Sequence, residues 1–193
     1  MALRDQEVEQ GLVLLEGLID RCIHGDGAAW RELHGWMFPK AAAFLQQMGV
    51  PAPDVEDACQ EVFVQVFRYL PRFQGRSQLT TWLYKICISQ ASRARRRRVI
   101  NDMLGRLLKQ SQPQLDGSPG RDWSGIETQR QMEEALRRMS TRQKLVFVLY
   151  ELHGLPGDEI ARIAGCPPAT VRGRLREART IFSTTLNGEG GVR

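Results

Sequence analysis

The feature that most constrains this chain is an interruption. Residues 110–125 read Q-S-Q-P-Q-L-D-G-S-P-G-R-D-W-S-G. Such a stretch, rich in Gln, Ser, Pro and Gly, has too little apolar surface to offset the entropy of ordering it, and it reads as a flexible connector. It divides the 193 residues into an N-terminal domain over 1–98, a linker over 99–126 and a C-terminal domain over 127–193. On both sides apolar residues recur at helical spacing, and Gly/Pro clusters punctuate the runs. Strand-like alternation is absent. The expected fold is all-α: two small helical domains joined by a flexible linker, free to move independently.

Composition removes several function classes. Apolar residues make up 42% and charged residues 25%, which are globular values. No apolar run is long enough to span a bilayer, no signal peptide is expected, and the chain reads as cytoplasmic. Cys22, Cys59, Cys87 and Cys166 are far apart with no C-x-x-C pair, which argues against a disulfide framework and a zinc site. Cys22 and His24 form a C-x-H, but a fourth ligand is missing. His24, His34 and His153 have no Ser or Cys partner at a catalytic spacing, and no phosphate-binding Gly loop appears. No cofactor, metal or enzymatic activity is expected.

Charge is unevenly spread. Residues 1–75 hold six Lys/Arg and eleven Asp/Glu, a net −5. Residues 76–112 hold nine Lys/Arg against Asp102 alone, a net +8. Residues 113–193 hold twelve against ten, a net +2. The basic part attracts polyanions, nucleic acid first; the acidic part must serve something else.

Helix candidates run over residues 10–24, over 27–48 with Asp26 as N-cap and a break near Pro39, over 55–70 with Asp54 as cap, and over 78–108. In the third, successive residues turn by about 100°. Val55, Ala58, Val62, Phe63, Val66 and Leu70 then share one side. Asp57, Gln60, Glu61, Val64 and Arg68 share the other. A lone exposed valine is common on a solvated face. With charges around it, Val64 also suits a face that docks another helix.

The fourth helix has Leu79, Trp82, Leu83 and Ile86 as core, with Thr80, Thr81, Tyr84 and Lys85 around them. Arg93, Arg95, Arg96, Arg97 and Arg98 follow. Such a run can be a solvated tail, but here it continues a helix bearing aromatics and hydroxyls. Aromatics stack on unpaired bases and arginines hold phosphates, which suits single-stranded or partly melted nucleic acid.

The C-terminal domain ends in a helix-turn-helix. Residues 158–164 form a short helix with Ile160, Ala161 and Ala164 inward. Gly165-Cys166-Pro167 turns, and Pro168 opens the next helix. Val171, Leu175, Ala178 and Phe182 make its buried stripe. Ala169, Arg172, Gly173 and Arg176 lie on the far side, with Arg174 and Arg179 at the flanks. A major groove admits such a helix, and arginine bonds guanine edges bidentately.

Together these residues resemble the extracytoplasmic-function (ECF) type of sigma factors of bacterial RNA polymerase, over roughly residues 18–98 and 127–187. Asp54-Val55-Glu56-Asp57-Ala58-Cys59-Gln60-Glu61-Val62-Phe63 is similar to that family's E-D-x-x-Q-E-x-F helix. Leu70-Pro71-Arg72-Phe73-Gln74-Gly75 and Thr81-Trp82-Leu83-Tyr84-Lys85-Ile86 resemble its following turn and T-W-L-Y-R-I helix. Residues 155–179 resemble its C-terminal DNA reader. Each segment is weak alone; their order and spacing together are specific.

The resemblance implies a protein that binds core RNA polymerase and directs it to promoter DNA. By matching position, Asp57, Gln60 and Glu61, with Val64 among them, would contact the polymerase clamp helices. Thr80, Thr81 and Trp82 would engage melted minus-ten DNA, with Lys85, Ser89, Arg93 and Arg96 further along that helix. Thr170, Arg172, Gly173, Arg174, Arg176 and Arg179 would face the minus-thirty-five element: Arg172 and Arg176 on bases, Arg174 or Arg179 on phosphates. The linker would thread through the polymerase, and an anti-sigma factor would be a further partner. The chain departs from the pattern at Ser89 (usually Asn), Arg93 (often Asp), Leu79, Thr80, Pro156-Gly157, Ala169 and Gly173, which leaves the promoter sequence open. The alternative is a stand-alone helix-turn-helix regulator that binds duplex DNA without polymerase, but that leaves the Asp57-Gln60-Glu61 face and the Trp82 helix unexplained.

Overall fold

The structure, a computed structural model, describes residues 15–73, 75, 78–108 and 123–188. Among the described residues every regular element is helical. Residues 15–23 form α1, the described part of the first predicted helix. Then come α2 (Gly27–Gln47), α3 (Ala52–Tyr69), a 3-10 turn (Leu70–Arg72) and α4 (Leu79–Leu108). The C-terminal half holds α5 (Trp123–Arg138), α6 (Thr141–Phe147), a π-helical turn (Val148–Leu152), α7 (Gly157–Ala164) and α8 (Pro168–Gly188).

Local chemistry fixes three of the helix ends. The Asp26 carboxylate accepts from the N–H groups of Ala28 and Ala29 at 2.8 and 3.2 Å and caps α2 as predicted. Ser140 caps α6 in a reciprocal box with Gln143. Gly165, at φ +60°, supplies the left-handed residue that ends α7.

Two predicted boundaries move. Helix α2 runs unbroken through Pro39. The proline ring is exposed, and Leu33, Met37, Ala41 and Phe44 are buried on both sides of it. Continuous burial of that stripe outweighs the hydrogen bond that Pro39 cannot make. Helix α3 starts at Ala52, ahead of Asp54: Pro51 is its N-cap, Pro53 lies in its first turn where no N–H is needed, and Asp54 sits at the positive end of the helix dipole. The helical bounds also narrow the stretch read as linker. Helix α4 continues through residues 99–108 and α5 begins at Trp123, so the remainder, residues 109–122, lies outside the described residues.

Helices α2, α3 and α4 enclose Leu33, Met37, Phe44, Val62, Val66 and Leu83. Helices α5 to α8 enclose Val146, Leu149, Ile160, Val171 and Ala178. The two sets belong to one continuous buried cluster. The sequence predicts domains that move independently; the structure packs α7 and the π turn's end against α4 and α2. The reason is a seam of aromatic contacts and hydrogen bonds between residues far apart in sequence. Phe44, Tyr84 and His153 meet ring to ring, and Arg95 reaches Thr141 at 3.2 Å. At the same seam burial and nearby Arg95 hold the Lys144 ammonium below its ordinary pKa.

Candidate functional site

The exposed face of α3 takes the form read from its pattern. Val55, Ala58, Cys59, Val62 and Val66 are buried, while Asp57, Gln60 and Glu61 are exposed and Val64 is 60% exposed. One residue of this face is missed by the sequence reading. Phe67 is 64% exposed, with its ring 4.9 Å from that of Trp30 on α2. Three residues after Val64, it lies about 60° from it on the helix. That offset is the signal: Gln60, Val64 and Phe67 form one ridge. Trp30 is itself fixed by its indole N–H donating to the Cys22 carbonyl at 2.9 Å, so the ridge rests on an ordered support. An exposed valine and phenylalanine with carboxylates beside them suit a protein partner with an apolar ridge and basic flank.

Helix α4 divides its predicted residues. Trp82, Lys85, Ser89 and Arg93 recur at three- and four-residue steps and line one groove of about 310 Å³ with Tyr69 and Gln65 of α3. Trp82 is held by Phe73, ring centroids 5.5 Å apart. Two cations, Lys85 and Arg93, and two aromatic rings, Tyr69 and Trp82, in one groove can hold a stacked base and its phosphates. Arg96 lies a turn further on, exposed, its Nε 3.4 Å from the Ser92 carbonyl. Thr80 is half-buried and outside this groove. Thr81 is 1% exposed, and its hydroxyl donates to Glu159 of α7 at 2.8 Å. The structure therefore gathers Trp82, Lys85, Ser89 and Arg93, and sets Thr81 under the C-terminal half.

In the helix-turn-helix, Val171, Leu175 and Ala178 are buried and Phe182 packs on Phe147 at 5.2 Å, which orients α8. Arg172 and Arg176 are exposed, and neither guanidinium has a partner among the described residues. Arg174 turns back toward the motif's own turn, Nη1 donating to Cys166 Sγ at 3.4 Å. Arg179 donates to Glu151 at 2.6 Å and lies over the Tyr150 ring, 5.3 Å from its centroid. That hydrogen bond to Glu151 raises the Arg179 pKa further. Gly173 lies between Arg172 and Arg176, with open space where a Cβ would be, and Thr170 is half-buried at the start of the helix.

No group of three or more metal-ligating side chains exists among the described residues, and none of their helices is long and apolar enough to cross a membrane.

Comparison with known proteins bears on both halves. Residues 38–99 match Sigma-70 region 2 and residues 129–181 match Sigma-70 region 4. The chain is 32% identical over 180 residues to the ECF RNA polymerase sigma-E factor of Escherichia coli strain K12, covering 88% of this chain and 92% of that protein. It is 28% identical over 182 residues to the ECF RNA polymerase sigma-E factor of Haemophilus influenzae, covering 89% and 94%. The fold is similar to CnrH in its complex with the cytosolic domain of CnrY (TM-score 0.66, 22% identity, 89% of this chain and 96% of that one). It is equally similar to the sigma factor RpoE of Bartonella quintana in complex with the anti-sigma factor NepR (TM-score 0.66, 18% identity, 82% and 96%).

Proposed function

The chain belongs to the ECF sigma factors of bacterial RNA polymerase, and from that membership we infer that it binds core polymerase and directs it to a set of promoters. The observation that carries this reading is the presence, on one chain, of three faces of different chemistry. The α3 ridge of Gln60, Val64 and Phe67, with Asp57 and Glu61 beside it, docks the polymerase. The groove of Trp82, Lys85, Ser89 and Arg93 takes melted minus-ten DNA, stacking on the aromatic rings and neutralising phosphates with the cations. Arg172 and Arg176 enter the major groove of the minus-thirty-five element. Arg174 and Arg179, tied to Cys166 and Glu151, hold the helix and its flank in shape beside them.

The protein acts by binding, in the cytoplasm with the polymerase, and performs no catalysis of its own. A protein inhibitor of the anti-sigma type controls it by occupying the faces that polymerase and DNA require. The likeness in fold to a sigma factor solved with its anti-sigma factor supports this element of the reading.

The test is transcription in vitro from a genomic promoter library. A restricted set of start sites that needs both core polymerase and this chain is the expected result. Tight binding to a duplex site without polymerase, with no initiation when polymerase is added, would identify a stand-alone regulator instead.

A further inference from the structure

Within that reading of α4 as a DNA face, we propose that the C-terminal half is a built-in cover for the start of α4, latched by a Gln47–His153–Tyr84 relay and by the Thr81–Glu159 hydrogen bond, and that promoter engagement requires the cover to open.

The latch is defined atom by atom. His153 Nε2 lies 2.8 Å from Gln47 Oε1, and its Nδ1 lies 2.8 Å from the Tyr84 hydroxyl. The Gln47 oxygen only accepts, so Nε2 carries the proton. Nδ1 is then the acceptor, and Tyr84 donates to it. A neutral imidazole thus satisfies both partners, and no buried side-chain polar atom among the described residues is left without one. Tyr84 is 3% exposed and Thr81 is 1% exposed; His153, in the loop before α7, meets the Tyr84 hydroxyl and ring, and Glu159 of α7 meets the Thr81 hydroxyl. Glu159, the acceptor for Thr81, also faces Arg162 at 3.8 Å, so its carboxylate is held in place from the C-terminal side. Arg95 to Thr141 closes the far end of the seam.

The same features make the cover removable. Beside the ring contacts of Phe44, Tyr84 and His153, the seam carries four side-chain hydrogen bonds, which water replaces at modest cost when the surfaces part. Contacts between domains of one chain that rest partly on hydrogen bonds permit relative motion of the two halves. Thr81 shares its helix with Trp82 and Lys85 of the groove, so a strand following that helix toward its first turn meets α7. A strand that fills the groove and runs on past Thr81 therefore needs α7 displaced.

The experiment uses the full chain. His153→Ala with Glu159→Ala removes both latches and touches none of the residues assigned to polymerase or DNA. Its radius of gyration, from small-angle scattering without DNA, should rise. Its affinity for a degenerate pool of single-stranded oligonucleotides should rise about fivefold to thirtyfold, the factor that one or two lost latch interactions supply. Tyr84→Phe keeps the ring, loses only the relay hydroxyl, and should move both readouts in the same direction by less. Unchanged compactness with unchanged affinity overturns the cover. So does expansion with no gain in affinity, while the holoenzyme still initiates. Failure of every form to bind DNA, core polymerase included, overturns the cover together with the reading of α4 beneath it.

Discussion

Tyr84 and His153 meet across the seam, hydroxyl to Nδ1, at 2.8 Å. Burial keeps the Tyr84 phenol protonated, its pKa pushed up to about 12, so it is a permanent donor. The imidazole is the variable member. Burial, and the positive charge of Lys40, hold its pKa below the ordinary value. The groups that face the ring are Lys40, Phe44 and Gln47 from α2 and Tyr84 from α4, and of these only Lys40 carries charge.

The sign of the pH effect follows. Closed, His153 is neutral; open, it titrates near the ordinary imidazole value of about 6.5. Opening takes up protons, so closure is at full strength above about pH 6.5 and weakens as pH falls through that value. Scattering profiles should show the full chain expanding on mild acidification. His153→Gln should abolish that expansion, and an unaltered acid response in this variant would place the titrating group elsewhere.

Charge reversal at Asp57 and Glu61 should weaken binding to core polymerase while leaving the fold intact, because exposed substitutions shift stability by no more than about 0.5 kcal/mol. Phe67→Ala tests the residue that the sequence reading missed. Removing an exposed apolar anchor should lower polymerase affinity about tenfold or more, with an unchanged melting temperature. Retained affinity in well-folded variants would move the docking face off α3.

Arg172→Ala and Arg176→Ala should each cost about 1–3 kcal/mol of discrimination and relax preference at one promoter position. Arg174→Ala, whose guanidinium is turned toward Cys166, should leave base preference unchanged. Selection of promoter variants by the holoenzyme, position by position, checks all three.

Phe44 is fully buried and touches both Tyr84 and His153. Phe44→Ala should destabilise the N-terminal half by about 3–5 kcal/mol. It should also loosen the seam, so added DNA binding ought to appear below the denaturant concentration that unfolds the chain. Denaturation followed by tryptophan emission, with oligonucleotide binding measured in parallel, separates the two effects.

Much of this architecture is legible in local pattern. The Asp26 cap, the α3 face and the α8 stripe of Val171, Leu175 and Ala178 follow from residues within a few turns of one another. What is illegible depends on distance. His153 is 106 residues from Gln47, and Glu159 is 78 from Thr81, so no helical period connects them. Thr81 therefore reads as an open DNA contact when it lies under α7. Pro39 misleads for a related reason: its local cost is visible in sequence, whereas the continuous burial that outweighs it is tertiary.

The π turn at Val148–Leu152 sets the phase of everything that follows it. The His153 N–H reaches back to the Val148 carbonyl at 3.1 Å, five residues away, so the turn holds one residue more than an α-helix would. Within it Tyr150 and Glu151 face Arg179, and immediately after it His153 faces the other half of the chain. Each residue advances a helix by about 100°. Deleting one residue of the turn would restore regular winding and rotate the imidazole away from Gln47 and Tyr84. Such a chain would be more regular locally and unlatched globally, so one codon separates a self-covering regulator from one that stands permanently open.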